Sequence, residues 1–180
     1  MHALQWLVVF SLCCGCVDEP AASPAAESYE PLESAPPETR HTFTWARSAG
    51  ARLAIVEIAR VEPLPEGFVS GEGEMAIRFP SGADVEAVVL AAEEPLDEVI
   101  RFRLVTGSSC GHSAADPEVP MCAELSFMPP PLEPGQVWQL GIGPYGAPNE
   151  GYWAMMAGRL LPADASPQAA LSDARELVGP

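Results

Sequence analysis

Two cysteines, a histidine and two carboxylates stand close together between residues 110 and 122. Cys110, His112, Asp116, Glu118 and Cys122 offer sulfur, imidazole and oxygen ligands, a set that suits zinc if four of them converge. Their spacing matches no zinc motif. An even pair of cysteines in an exported chain also fits a disulfide. Closing the polar loop between them is worth about 3 kcal/mol in the chain-entropy picture. The disulfide is the reading taken, with metal ligation by this loop as the alternative; no metal or other cofactor is expected. "GSSCG", Gly107 to Gly111, formally matches the G-x-S-x-G nucleophile elbow around Ser109. That elbow needs a strand turning sharply into a helix, with an acid and a histidine further on. Only His112 follows, in a loop, so no catalytic residue is assigned.

Other candidate chemistry is thinner. Glu93-Glu94 and Asp97-Glu98 are adjacent acids in turns and read as solvated charge; no calcium-loop spacing surrounds them. "GEGE", Gly71 to Glu74, lacks the rest of a phosphate-binding loop. Aromatic residues are more suggestive. Tyr145, Tyr152 and Trp153 lie in or beside the Gly/Pro-rich stretch "GPYGAPNEGYW". Loops on a β-scaffold often carry function, and Tyr and Trp favour binding interfaces. They form a candidate ligand-binding loop, with core packing of Trp153 as the plainer alternative.

The N-terminus carries chemistry of another kind. "ALQWLVVFS", Ala3 to Ser11, is an apolar run that ends in "LCCGC", with Cys13, Cys14 and Cys16. The run is too short to span a bilayer, which takes about 20 residues, and has the length of a signal-peptide core. Gly15 before Cys16, with Cys14 as a second small residue, resembles the lipobox of bacterial lipoproteins; Cys13 stands where that family has Leu, and Leu12 lies one residue earlier. The resemblance covers about the first 16 residues. It implies that residues 1–15 are removed and that Cys16 becomes a diacylglyceryl-modified, palmitate-bearing N-terminus. Several acyl chains hold a soluble domain on a membrane where one chain would not. Val17, not Asp, follows Cys16, which in that family leans towards the outer membrane. Cys13 and Cys14 would leave with the signal.

Charge narrows the partners. The chain has a net charge of −16, and all nine of its basic residues are Arg. Nucleic acid and anionic lipid headgroups are therefore disfavoured. The expected partners are the membrane, through the lipid, and an envelope protein or small ligand of unknown kind.

The elements that must position these residues follow from hydrophobic period. Val17 to His41 holds five prolines and six acids and few large apolar residues. It reads as a disordered, extended tether, so that residues 16–41 form the lipidated cysteine and spacer. Residues 42–161 form the β-domain. "TFTWAR" alternates as a short strand; "RLAIVEIARV", Arg52 to Val61, reads as a strand buried on both faces. "EMAIRF", "EVIRFRL" and "QVWQLGI" alternate, with Ile100, Phe102 and Leu104 inward and Arg101 and Arg103 outward. "YWAMMAGRLL" closes the series, and "ADVEAVVLAAEE" leans towards strand. Residues 162–180 form a C-terminal segment with a short helix: Ser166 caps it, Pro167 begins it and Gly179 stops it.

The expected fold is all-β, a small sandwich or barrel of six to eight strands with a short C-terminal helix. In texture it also resembles the secreted small barrels of the OB type, an alternative architecture from which no functional residue is carried over. The chain reads as a binding or structural module of the cell envelope rather than a catalyst. The alternative is a small envelope enzyme or metal-binding protein using the Cys110–Cys122 loop.

Overall fold

The computed structural model of the chain describes residues 29–70, 76–106, 108–123, 127–144 and 151–179. A 3-10 turn, Leu32–Ser34, leads into helix α1, Pro37–Ser48. Then come β1 (Arg52–Pro63), β2 (Phe68–Ser70), β3 (Ile77–Phe79), β4 (Gly82–Ala92) and β5 (Val99–Val105). They are followed by β6 (Cys110–Ser113), β7 (Pro120–Cys122), β8 (Val137–Pro144), β9 (Trp153–Leu161) and helix α2 (Pro167–Val178). The chain is mostly β, as its alternating segments predict. Nine strands appear among the described residues, against the six to eight expected. The short strands β2, β6 and β7 are too brief to show a period.

Five strands close a barrel in the order β1-β4-β5-β9-β8. Neighbours are antiparallel except β5 and β9, which meet in parallel at Phe102 and Trp153. The other four form a small sheet, β2-β3-β6-β7, built from the β1–β4 and β5–β8 connections. Period-2 alternation fills the barrel: Ala54, Val56 and Ile58 from β1, Val85 and Ala87 from β4, Ile100, Phe102 and Leu104 from β5, Trp138, Leu140 and Ile142 from β8, and Met155 from β9. A bulge at Ala59 leaves Ile58 opposite Ala87 and Arg60 opposite Glu86. This resets the alternation so that Arg60 and Glu62 join the outer face.

One outer side of the barrel is also buried, which is why β1 lacks a polar face at its start. Leu53, Ile55, Ala91, Ala157 and Leu161 form a second core with Leu32, Phe43, Ala46, Ala170, Leu171 and Ala174. Helices α1 and α2 supply most of that cover. A methyl group at Gly141 would stand 3.3 Å from the Ala46 Cβ, so glycine there lets α1 lie close on β8. Helix α2 forms as its sequence predicts. Ser166 Oγ accepts from Ala169 N, Pro167 begins the helix and Gly179 ends it at φ 73°.

Two expectations fail here for one reason. "TFTWAR" is part of α1, not a strand, and the tether ends well before His41. Pro37 opens the helix, Glu38 sits in its first turn, and Gly50 follows at φ 84°. The two threonines that give the strand-like alternation bond back along the helix, Thr42 Oγ1 to Glu38 O and Thr44 Oγ1 to Arg40 O. Phe43 and Ala46, three apart, are both buried on the barrel. Upstream, Leu32 is wholly buried. The Tyr29 hydroxyl and the Leu32 amide both donate to Asp173 of α2. A local composition poor in apolar residues hides these long-range partners. The rest of the expected tether, residues 17–28, lies outside the described residues, as do the signal segment and Cys16.

Ion pairs fasten the helices. Arg47 holds Glu93 by two bonds of 2.6 and 2.7 Å, and Glu93 also accepts from Leu53 N. The Arg47 bonds hold the Glu93 carboxyl below the usual range, against the opposing effect of its burial. Burial pushes the Tyr29 phenol up to about 12, helped by its hydrogen bond to Asp173 and the charge there; Arg159 opposes.

Phe43→Ala should destabilise the fold by about 3–5 kcal/mol in urea unfolding. A loss under about 0.5 kcal/mol would mean that α1 is not part of the core. The neutral Tyr29 phenol is favoured by folding. Its contribution should be complete below pH 10.0, the ordinary value, and lost as pH rises towards about 12. Unfolding midpoints across that window should fall in the native protein and fall less in Tyr29→Phe.

Candidate functional site

The outer faces of β1, β4 and β5 away from the helices carry charge in a regular pattern. Strand alternation turns Asp84 and Glu86 outward on β4, and Arg101 and Arg103 outward on β5. Cross-strand register sets Asp84 opposite Arg103 and Glu86 opposite Arg101. On the other side, Arg60 faces Glu86 and Glu62 faces Asp84. Each acid of β4 therefore has a guanidinium across from it on β5, and on the β1 side Glu86 faces Arg60 while Asp84 faces Glu62. Opposite charges directly across a ladder stabilise it by a few tenths to about 1 kcal/mol per pair.

One of these pairs is built more firmly than the rest. Arg103 Nε and Nη2 reach the two Asp84 oxygens at 2.8 and 2.7 Å, a two-pronged bond. Tyr152, just before β9, completes a triangle: its hydroxyl accepts from Arg103 at 3.2 Å and donates to Asp84 at 3.3 Å. The Arg103 guanidinium also lies 4.6 Å from the Tyr152 ring centroid. The Asp84 bond raises the Arg103 pKa above its ordinary value, so the group stays a cation. Beside the triangle, Arg101 bonds Glu86 at 3.1 Å while remaining 60% exposed. Arg60 pairs with Glu62. Arg60, Glu62, Asp84, Glu86, Arg101 and Tyr152 line a cleft of about 240 Å³. Three guanidinium groups and three carboxylates balance here, in a chain whose net charge is −16.

The expected aromatic loop divides. Tyr152 belongs to this cleft. Trp153, next in sequence, turns the other way and packs half-buried against the barrel core, where it makes the parallel contact with Phe102. The Arg52 guanidinium lies 5.8 Å from its ring centroid. Tyr145 lies outside the described residues. The sequence alternation placed Arg101 and Arg103 on an outer face. It did not single out Asp84, Glu86 or Arg60, whose partners come from other strands. The readable signal was the run of acids at every second residue of β4 against arginines at every second residue of β5.

The cysteine loop has a different character. Cys110 and Cys122 are register partners on β6 and β7 and are joined by a disulfide. With the sulfurs bonded to each other, neither is a thiolate ligand. His112 stands opposite Pro120 and Arg78 in the same small sheet, exposed. Ser109 is followed by strand β6, so the helix that a nucleophile elbow requires does not follow it. Gly111 explains the close sheet contact, since a methyl group there would come within 2.2 Å of the Arg78 carbonyl oxygen.

Comparison with protein-family models, with curated proteins and with solved structures finds no match to this chain.

Reducing the disulfide, or replacing both Cys110 and Cys122 by Ala, should lower stability by about 3 kcal/mol for a loop of this length. Urea unfolding with and without reductant measures it. An unchanged midpoint on reduction would mean that the bond does not support the fold.

Proposed function

We propose that this protein is a lipid-anchored cell-envelope binding module, held at the outer membrane through Cys16, whose barrel is of the OB type. On this reading a polar ligand or envelope partner meets the cleft on β4 and β5. The Arg103–Asp84–Tyr152 triangle carries the proposal. It is a rigid, charge-balanced, partly exposed constellation with two donors and an aromatic face, standing beside exposed Arg101.

The barrel topology supports the architecture. β1, β4 and β5 are joined in sequence, and β8 returns to lie beside β1, the order of a Greek key. β9 then closes the ring on β5. A five-stranded Greek-key barrel is the OB plan, and OB domains use the face of their second and third strands for ligands. Those barrel strands here are β4 and β5. The anchoring part rests on the lipobox-like residues and on the acidic, proline-containing sequence that follows Cys16.

Two measurements test the two halves. Intact mass spectrometry of the protein from its native membrane should find acyl chains on Cys16, that residue at the N-terminus, and a two-hydrogen deficit from the disulfide. A mature chain that starts elsewhere and lacks lipid would end the anchoring reading. In a host lacking the protein, Arg101→Glu combined with Tyr152→Ala should fail to restore the lost phenotype while Ser109→Ala restores it. Full restoration by the folded double variant would remove the cleft from function.

A further inference from the structure

A second concavity lies at the end of the barrel, distinct from the charged cleft. It encloses about 720 Å³, within the range of roughly 300–1,000 Å³ typical of small-ligand pockets. Its inner wall is the barrel's own core: Val85 is 1% exposed and Leu104 8%. Its outer wall is a strap, Met128 to Leu132, that includes the triplet Pro129-Pro130-Pro131. The concavity therefore opens between core residues and a backbone stiffened by three consecutive prolines.

We infer that this pocket binds the hydrocarbon chain of an amphiphile whose head group is not anionic. Hydrogen-bonding capacity decides against a peptide. The prolines have no N–H to donate. The strand backbone in the other wall is already paired, with Ala83 opposite Leu104, Val85 opposite Phe102 and Pro63 opposite Ala83. A peptide backbone entering the pocket would meet strap carbonyls but no N–H on the prolines and none free in the paired strands, so its own carbonyls would lack donors, at a cost comparable to lost hydrogen bonds. Among the described residues of the lining, Thr106 supplies the one side-chain hydroxyl and no side chain is charged. A chain of methylene groups makes no such demands and gains about 0.8 kcal/mol for each one buried.

Charge then chooses the head group, which must stay outside. Glu62 and Glu133 adjoin lining residues in sequence and are exposed, and the chain as a whole carries −16. An anionic head group is repelled from such a surface, while an uncharged or cationic one is not. Met128, 37% exposed, stands at the rim of the strap. The inference depends neither on the lipid at Cys16 nor on the charged cleft.

The test uses the full chain with Cys13, Cys14 and Cys16 replaced by Ser, and n-decyl maltoside below its micellar concentration as the probe. Calorimetric titration should show saturable binding to a single class of site, with decanoate at neutral pH weaker by about tenfold or more and maltose alone not binding. Met128→Glu should weaken the maltoside by about tenfold with an unchanged unfolding midpoint. Ala83→Leu, which fills the pocket from the barrel side, is a second variant expected to weaken binding. Absence of saturable binding overturns the inference. So does binding that survives both folded variants, binding of maltose equal to that of its decyl derivative, or decanoate binding as tightly as the maltoside. None of these outcomes bears on the Arg101 and Tyr152 variants.

Discussion

Gln139 sits on β8 with no solvent exposure, its amide on the side of the barrel that the helices cover. A buried amide must find partners or cost the fold the full price of its desolvation. Its Nε2 donates to the Ala170 carbonyl of α2, and its Oε1 accepts from Arg159 Nε of β9. Arg159 in turn bonds the Glu30 carbonyl and the Tyr29 hydroxyl, and it lies 3.4 Å from Asp173. One requirement thus ties together a barrel strand, its neighbour, the last helix and the first folded residues. The bond to the Ala170 carbonyl fixes where the helix can lie, and the apolar contacts of Leu171 and Ala174 follow from that position. Such a network specifies one arrangement because every member is satisfied only in that arrangement.

The same economy governs the distribution of charge. In a chain this acidic, unpaired carboxylates near the core would weaken the fold through mutual repulsion. The arginines go where acids are brought close by folding: Arg47 to Glu93, Arg103 to Asp84, Arg159 to Asp173. These pairs are partly shielded from water and join elements distant in sequence. Others, such as Arg60 with Glu62 and Arg52 with Glu94, are well exposed and contribute little to stability. The exposed pairs on β1 and between β4 and β5 add little to the fold beside the shielded ones.

Much of the barrel was readable from residue order. β5 and β8 announce themselves by alternation, β1 by a run of β-branched residues, α2 by its cap and stop residues, and the disulfide by the simple count of cysteines. What was not readable depended on distant partners. Phe43 sits in a stretch that alternates as well as any strand, and its burial together with Ala46, which lies against Gly141, adds the long-range contact that favours helix. Leu32 lies among prolines and acids and is buried because Asp173 and the α2 surface meet it. The charged cleft was half visible: Arg101 and Arg103 were correctly outward, but nothing local pairs Arg103 with Asp84 or brings Tyr152 to both. The bulge at Ala59, which decides that Arg60 faces the same way, has no local sequence mark.

The early start of the folded domain changes the geometry of any attachment at Cys16. Were the spacer to run from Val17 to His41, it would hold 25 residues and reach about 80–90 Å when fully extended. With Tyr29 clamped to α2, at most the 12 residues from Val17 to Ser28 are left to serve as spacer, and 12 residues in any conformation span no more than about 40 Å. Halving a flexible leash cuts the volume it samples about threefold and raises the local concentration of whatever lies within it by the same factor. On the anchoring proposed above, the clasp between Tyr29, Arg159 and Asp173 sets a working distance. It keeps the barrel among molecules at the surface of its own membrane and out of reach of those farther away.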